Sequence, residues 1–359
     1  MSRNMISQEF WQSKRVLITG DTGFKGSWMC LWLQSLGAEI CGIGLAPPTK
    51  PSLFIEADVC NGMRHENIDI RDFKAVNCVF QSFRPEIVIH MAAQPLVRYS
   101  YLEPIETFET NVMGTVHVLE ASRRANSVQA VVNVTTDKCY ENREWFWAYR
   151  ENEPMGGYDP YSSSKGCSEL ISSAYRASFL NAEGIGMATA RAGNVIGGGD
   201  WAQDRLIPDI LRFLSQNKAV EIRNPNAIRP WQHVLEPLSG YLILAEKLYS
   251  KESNVMGSWN FGPRDDDVKT VEWIVENLGA KWGSNIGLKI QPGEHPHEAH
   301  FLKLDISKAK NQLGWEPKWT LEVALDKIVE WQKSWCAGDN MRSKCNIQIS
   351  EYKAKELPI

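Results

Sequence analysis

The sequence of 359 residues contains no apolar run near the roughly 20 residues that a membrane-spanning helix needs. Its amino terminus shows no charged-then-apolar secretory pattern. A soluble, cytoplasmic protein with no membrane partner is the expectation. Basic residues are not in excess either: 39 Lys and Arg stand against 43 Asp and Glu, for a net charge of −4. That balance gives no electrostatic footprint for nucleic acid, and a local pair such as Arg123-Arg124 reads as solvated helix surface. The eight cysteines (Cys30, Cys41, Cys60, Cys78, Cys139, Cys167, Cys336 and Cys345) include no C-x-x-C pair. They read as reduced thiols that pack rather than cross-link. Internal repeats and low-complexity segments are missing as well, which sets aside solenoids and extended linkers.

Short apolar strands alternate with helical stretches from Arg15 to Ala190. Val16-Leu17-Ile18-Thr19, Glu39 to Leu45, a segment ending at Asn67-Ile68-Asp69-Ile70, Glu86 to Met91, Ala130 to Thr135 and Gly186 to Ala190 make six predicted strands. Strands apolar on both faces and separated by helices predict a parallel sheet covered on both sides. The fold class is therefore α/β: a Rossmann-like doubly wound parallel sheet with a smaller α/β substrate-binding domain. The first domain is assigned 1–192, with 233–258 returning to it. The second is assigned 193–232 and 259–336, and the polar stretch 337–359 is expected to be a weakly ordered tail.

Gly20-Asp21-Thr22-Gly23-Phe24-Lys25-Gly26 follows the first strand directly. Glycines at this spacing allow positive φ angles and close backbone approach, so that helix-terminal N–H groups can cradle a pyrophosphate. The second strand ends in Gly44-Leu45-Ala46-Pro47-Pro48, with neither the acid that often binds an adenosine ribose nor an arginine for a 2′-phosphate. That end alone does not choose between NAD and NADP. Asp69-Ile70 can hold an adenine, or be a surface aspartate beside a core isoleucine.

Two further runs carry chemistry. Tyr161-Ser162-Ser163-Ser164-Lys165 puts a phenol and an ammonium one helical turn apart on a shared face. The ammonium is expected to favour phenolate and make the tyrosine a base for a sugar hydroxyl. Thr135-Thr136-Asp137-Lys138 adds an acid and a second lysine, more than an alcohol oxidation requires.

Together these residues resemble the extended short-chain dehydrogenase/reductase family, over roughly residues 14 to 330. The glycine turn, His90-Met91-Ala92-Ala93-Gln94, Asn111, and Tyr161 with Lys165 fall in the family's order. The match is best with the nucleotide-sugar 4,6-dehydratases acting on CDP-glucose. It is carried by Thr135 to Lys138, Arg191 to Trp201, Arg229-Pro230-Trp231-Gln232-His233-Val234, and Glu294 to Ala299. The resemblance implies NAD as cofactor, held by Gly20, Thr22, Gly23, Phe24, Lys25, Gly26, Asp69, Ile70, Ala92, Ala93, Gln94, Asn111, Thr135, Tyr161 and Lys165. It also implies a homodimer or homotetramer paired through the helices of Asn111 and Tyr161.

The implied reaction oxidises C4 of the sugar, which makes the C5 proton acidic, then eliminates water across C5–C6 and returns hydride to C6. Tyr161 takes the C4 hydroxyl proton, Lys165 binds the nicotinamide ribose, Thr136 bonds the C4 oxygen and Asp137 protonates the departing C6 hydroxyl. Dehydratases acting on TDP-glucose usually read Thr-Asp-Glu where this chain has Thr136-Asp137-Lys138. Two roles are open to Lys138: a neutral base for the C5 proton, or a cation stabilising the enolate. The rival functions are a nucleotide-sugar 4-epimerase, which has no use for Asp137 beside Lys138, and a non-catalytic NAD(P) sensor.

Asn194, Trp201, Arg205, Arg229, Trp231 and His297 are the expected nucleotide-sugar contacts, Arg229 taking the pyrophosphate. Trp145-Phe146-Trp147-Ala148-Tyr149 is read as a lid or wall over the sugar. Glu294-His295-Pro296-His297-Glu298 with His300 lacks the helical spacing of a zinc site, so no metal is expected.

Overall fold

The computed structural model describes residues 6–216, 218–222, 224–252, 254–283, 288–290 and 302–355. In chain order the first domain runs α1 (Gln8–Trp11), β1 (Arg15–Thr19), α2 (Phe24–Ser35), β2 (Glu39–Gly44), α3 (Leu53–Glu56), β3 (Arg64–Asn67), α4 (Phe73–Phe83), β4 (Ile87–His90), α5 (Val97–Leu102), α6 (Pro104–Phe108), α7 (Gly114–Arg124), β5 (Ala130–Val134), α8 (Pro160–Tyr175) and β6 (Gly186–Ala192). Then come β7 (Asn194–Ile196), α9 (Leu206–Ser215), β8 (Val220–Ile222), β9 (Ile228–His233), α10 (Leu235–Tyr249), β10 (Gly257–Phe261), β11 (Val268–Thr270), α11 (Val271–Trp282), β12 (Leu288–Ile290), α12 (Leu321–Ala337) and α13 (Met341–Ala354).

The main sheet has seven strands in the order β10-β6-β5-β4-β1-β2-β3, every pairing parallel. It is the doubly wound Rossmann arrangement that the alternation predicts. β4, β5 and β6 are buried along their whole length, because helices cover both faces. On one face α2 and α10 pack Trp28, Leu31, Leu238 and Leu242. On the other, α4 and α7 contribute Val76, Phe80, Val118 and Leu119. The smaller unit holds β11-β9-β7 and β12-β8, with Ile210, Leu214, Ile274 and Leu325 in its core. No helix among the described residues is long and apolar enough to cross a membrane.

Three details depart from the sequence reading. The sheet has a seventh strand, β10, beyond the six expected. Its sequence Gly257-Ser258-Trp259-Asn260-Phe261 alternates polar with apolar because Ser258 and Asn260 bond buried groups below the sheet. The third strand lies earlier, at Arg64–Asn67, on a polar sheet edge that offers no apolar run. Between α6 and α7 the helix widens into one π turn, Glu109–Met113, which turns Asn111 inward.

The expected weak tail is also corrected, since most of it is α13. Asn340 caps this helix by accepting the Ser343 N–H at 2.8 Å, as side-chain oxygens do at helix starts. Met341, Cys345, Gln348, Ile349 and Tyr352 form its buried stripe. Gln348 and Cys345 in that stripe blur the apolar signal that would have marked a helix. The Tyr352 hydroxyl donates to Glu236 Oε2 at 2.6 Å, its ring meets Trp32 edge-on at 5.6 Å, and Arg342 bonds the carbonyls of Ala57, Asp58 and Asn61. The helix is thereby fastened to α2 and α10. Tyr352→Phe should leave a buried carboxylate one donor short and cost about 1–3 kcal/mol. An unchanged urea midpoint would refute this account of how α13 is held.

Candidate functional site

The carboxyl ends of β1, β4 and β5 converge where the parallel fold gathers its ligands. Thr19 ends β1 and ties it to β4: its hydroxyl accepts the N–H groups of Met91 and Ala92, both at 3.1 Å, and lies 2.6 Å from His90 Nδ1. Burial, with help from the Lys165 charge, pushes His90 down to about 3, so it is a neutral link. Gly20 has φ +77°, and a Cβ there would fall 2.7 Å from the Ala92 nitrogen. A Cβ on Gly26 would lie 2.0 Å from the Gly20 carbonyl oxygen. The Gly23 cap supplies no side-chain bond to α2, which leaves the helix's first N–H groups for an anion. Such a cradle fits the pyrophosphate of a dinucleotide.

The other expected cofactor residues surround it. Thr22 is buried and Phe24 reaches Gly197, whose Cβ would sit 3.0 Å from the ring. Asn111 Oδ1 accepts the Gln94 N–H at 2.8 Å while its Nδ2 donates to the Gln94 carbonyl and to Ser164. It thus braces the Ala92-Ala93-Gln94 segment. Asp69 is gripped by Arg71 through Nε at 2.9 Å and Nη2 at 2.6 Å, which holds its carboxyl below the usual range. Ile70 is a core residue packed on Gly114. Lys25 is pushed down to about 7, first by burial and then by Lys165 and Arg205, with Asp137 opposing. The turn therefore sends its lysine toward the reacting groups.

Asp159 caps α8 by accepting the Ser162 N–H at 2.9 Å, with Pro160 in the first turn. This fixes the phase of the helix, and Tyr161, Lys165 and Glu169 follow at four-residue steps, all buried. Lys165 Nζ donates to the Val134 carbonyl at 3.4 Å and is lowered to about 8 by burial, against the pull of Glu169. Tyr161 is pushed up to about 12 by burial, with Thr136 and Arg205 opposing and Asp137 adding to the rise. The expected lowering of the phenol by Lys165 is thus not found. Exclusion from water disfavours phenolate more than the nearby cations favour it.

Thr136 starts a short 3-10 turn over Asp137–Cys139, accepting the Lys138 N–H at 3.3 Å and donating to Asp137 Oδ1 at 3.0 Å. Burial raises the Asp137 carboxyl, and Lys138, Thr136 and Arg229 oppose that rise. Gly193 leaves room for it, since a Cβ there would lie 3.0 Å from Oδ2. A buried acid beside a cation, close enough to Tyr161 to act on its charge, can donate a proton to a leaving hydroxyl.

Beneath this layer lies a group that the sequence reading missed. Glu169 accepts Thr135 Oγ1 at 2.5 Å, Thr189 Oγ1 at 2.7 Å, and Arg191 through Nε at 2.9 Å and Nη2 at 2.7 Å. Burial pushes its carboxyl up, but these donors hold it below its ordinary value. Arg191 also donates to the Tyr140 hydroxyl at 2.7 Å. The available signal was the spacing of Glu169, one turn beyond Lys165.

The expected substrate contacts divide. Arg229, on β9, brings its charge to Asp137. Arg205 bonds Asp200 Oδ2 at 2.9 Å, and its charge reaches Tyr161 and Lys25. Asn194 opens β7, opposite Trp231 in register. Both tryptophans pack against other side chains. Trp201 meets Trp331 and Trp335 at 5.5 and 5.2 Å, and Trp231 is buried in the smaller core with its Nε1 donating to the Lys269 carbonyl at 3.3 Å. Tyr149 stacks on Tyr140 and Trp145 packs at a tilt on Tyr149, whereas Phe146 is 85% exposed. His297, with the rest of Glu294 to Ala299 and His300, lies outside the described residues. Among those described, no cluster could hold a metal ion.

Comparison with known proteins agrees with this architecture. The chain is 57% identical over 354 residues to the CDP-glucose 4,6-dehydratase of Salmonella typhimurium, covering 97% of this chain and 98% of that one. It is 26% identical to a UDP-glucose 4-epimerase of Halalkalibacterium halodurans, over 92% and 98% of the two chains. Among solved structures, the dTDP-glucose 4,6-dehydratase DesIV of Streptomyces venezuelae, with NAD bound, superposes with TM-score 0.78 at 22% identity, covering 91% of this chain and 99% of its own. Residues 17–328 match the model of the GDP-mannose 4,6 dehydratase family, and the chain belongs to that family.

Proposed function

We propose that this protein is an NAD-dependent nucleotide-sugar 4,6-dehydratase that converts CDP-glucose to CDP-4-keto-6-deoxyglucose, a precursor for deoxysugar synthesis. The observation that carries the reading is the buried Asp137 carboxyl beside Lys138, set at the strand end that also holds Tyr161 and Lys165. The 57% identity to a CDP-glucose 4,6-dehydratase supports the cytidine nucleotide. Bound in the glycine cradle, NAD would accept a hydride from the sugar and return it later in the same turnover.

The chain's own residues do the rest. Tyr161, with Thr136 at its hydroxyl, accepts the proton from the C4 oxygen, and Lys165 holds the ribose and supplies positive charge beside it. Raised by burial, Asp137 delivers a proton to the C6 oxygen as it leaves. Lys138 removes the C5 proton or stabilises the enolate. Arg229 and Arg205 lie on the smaller domain's side of the cleft, where a pyrophosphate needs cations. Helices α5, α6 and α8 and the π turn expose Leu102, Ile105, Met113 and Leu170, and this face suits pairing of two chains. Its setting is the cytoplasm.

Substrate deuterated at C4 should give a 4-keto-6-deoxy product with deuterium on C6, lighter than the substrate by one ordinary water. Deuterium returned to C4 of an isomerised sugar would mean an epimerase instead. Lack of any turnover with NAD and a panel of nucleotide-glucoses would favour a sensor.

Tyr161→Phe should retain the fold and NAD binding while kcat falls about 10²–10⁴-fold, and near-normal turnover would remove it from this role. Lys138→Met should still allow C4 oxidation, seen as nicotinamide absorbance, but stop exchange of the C5 hydrogen with heavy water. Unchanged exchange would leave Lys138 only the electrostatic role.

A further inference from the structure

The end of β2 has no acid, yet a carboxyl sits next to it. Asp21, from the glycine turn, is wholly buried, and β2 has given up its own side-chain space to hold it. A Cβ on Gly42 would lie 2.0 Å from Asp21 Oδ2, and one on Gly44 would lie 2.5 Å from Oδ1. Oδ2 is held by His65 Nδ1, from β3, at 2.7 Å. Oδ1 closes no hydrogen bond, although the peptide N–H groups of Asp21 and Thr22 are near. It lies on the Gly44 side, together with the Thr22 hydroxyl, which would be 3.1 Å from the same Cβ. A sealed carboxylate oxygen without a donor is costly, and packing does not require it, because two glycines were needed to admit it.

In a doubly wound fold the adenosine ribose lies against the end of the second strand, and an acid there reads the 2′-hydroxyl. Leu45 takes that place here and is 53% exposed. We propose that Asp21 is the specificity-determining residue that selects NAD over NADP, acting from inside the turn in place of an acid at the end of β2. The inference rests on the dinucleotide reading of the glycine turn. The carboxyl need not touch the ribose. Burial pushes this carboxyl up, and His65 and the Asp21 and Thr22 N–H groups oppose that rise and favour its ionised form. In the poorly polarisable interior that charge is weakly screened, so a 2′-phosphate brought to the strand end meets like charge, while a 2′-hydroxyl does not. His65 holds the carboxyl in place from the side away from Gly44.

Equilibrium binding of NAD and of NADP to the whole protein, followed by calorimetry, tests this directly. Wild type should bind NAD tighter. Asp21→Asn keeps the shape and the acceptor for His65 but removes the charge, and should narrow the NAD-to-NADP affinity ratio by about tenfold or more, mainly by tightening NADP. Should that variant not fold, Asp21→Ser, small and neutral, gives the same readout. An unchanged ratio in a folded, NAD-binding variant overturns the proposal and leaves the dehydratase reading standing. Wild type binding NADP as tightly as NAD overturns it too. Binding of neither nucleotide would overturn the cofactor reading along with it.

Discussion

The buried pair of Glu169 and Arg191 joins the parts of the molecule that must stay in register. Glu169 comes from α8, Arg191 from β6, and between them they bond Thr135 after β5, Thr189 on β6, Ser258 on β10 and Tyr140 beyond the reactive turn. Two charges in the interior are costly unless every lone pair and proton finds a partner, and removing one partner from such a pair costs about 3–5 kcal/mol. Here the partners are the loops that carry the site. Thr135 directly precedes Thr136 and Asp137, and Lys165 lies one turn before Glu169. The same ion pair therefore fixes the height of α8 against the sheet and the position of the reactive turn.

Above that base, burial sets the protonation of each group. Asp137 is buried close against Gly193, and its carboxyl rises because it is kept from water. Lys165 and Lys25 fall for the same reason. Tyr161 rises to about 12 because burial outweighs the protein's own cations, so its part as the C4 base calls for positive charge beyond what the chain alone brings to it. A carboxyl raised by burial suits the proton donor that elimination of water calls for.

The parts of this arrangement visible in the sequence were those with short-range patterns. Apolar runs marked the interior strands, glycine spacing marked the turn, and the four-residue step from Tyr161 to Lys165 marked one helix face. The rest depends on groups brought together from distant positions. β10 hid because its polar residues point at Glu169 and Tyr140 instead of at water. Helix α13 hid because its buried stripe includes Gln348 and Cys345. Trp201 and Trp231 read as ligand contacts in sequence, and their packing against α12 and β11 depends on residues far along the chain that no local pattern announces. Asp21 carried no signal, since an aspartate inside a glycine turn reads as a solvated loop residue until Gly42 and Gly44 are seen to make way for it.

The π turn at Glu109–Met113 decides how this chain would absorb a change in length. An α-helix advances about 100° per residue, so gaining or losing one residue ordinarily rotates everything downstream off its packing face. A single widened turn stores one extra residue without passing that rotation on to α7, whose Val118, Leu119 and Ser122 stay pointed at the sheet. Losing one residue here would let the helix close to ordinary geometry with α7 still in phase. The loss would be confined to Asn111, which would swing away from Gln94 and Ser164 and release the segment after β4. The segment is thus neutral to a one-residue deletion as helix architecture and intolerant of it as the brace of the segment after β4, so chain length at this point is set by the inward turn of Asn111.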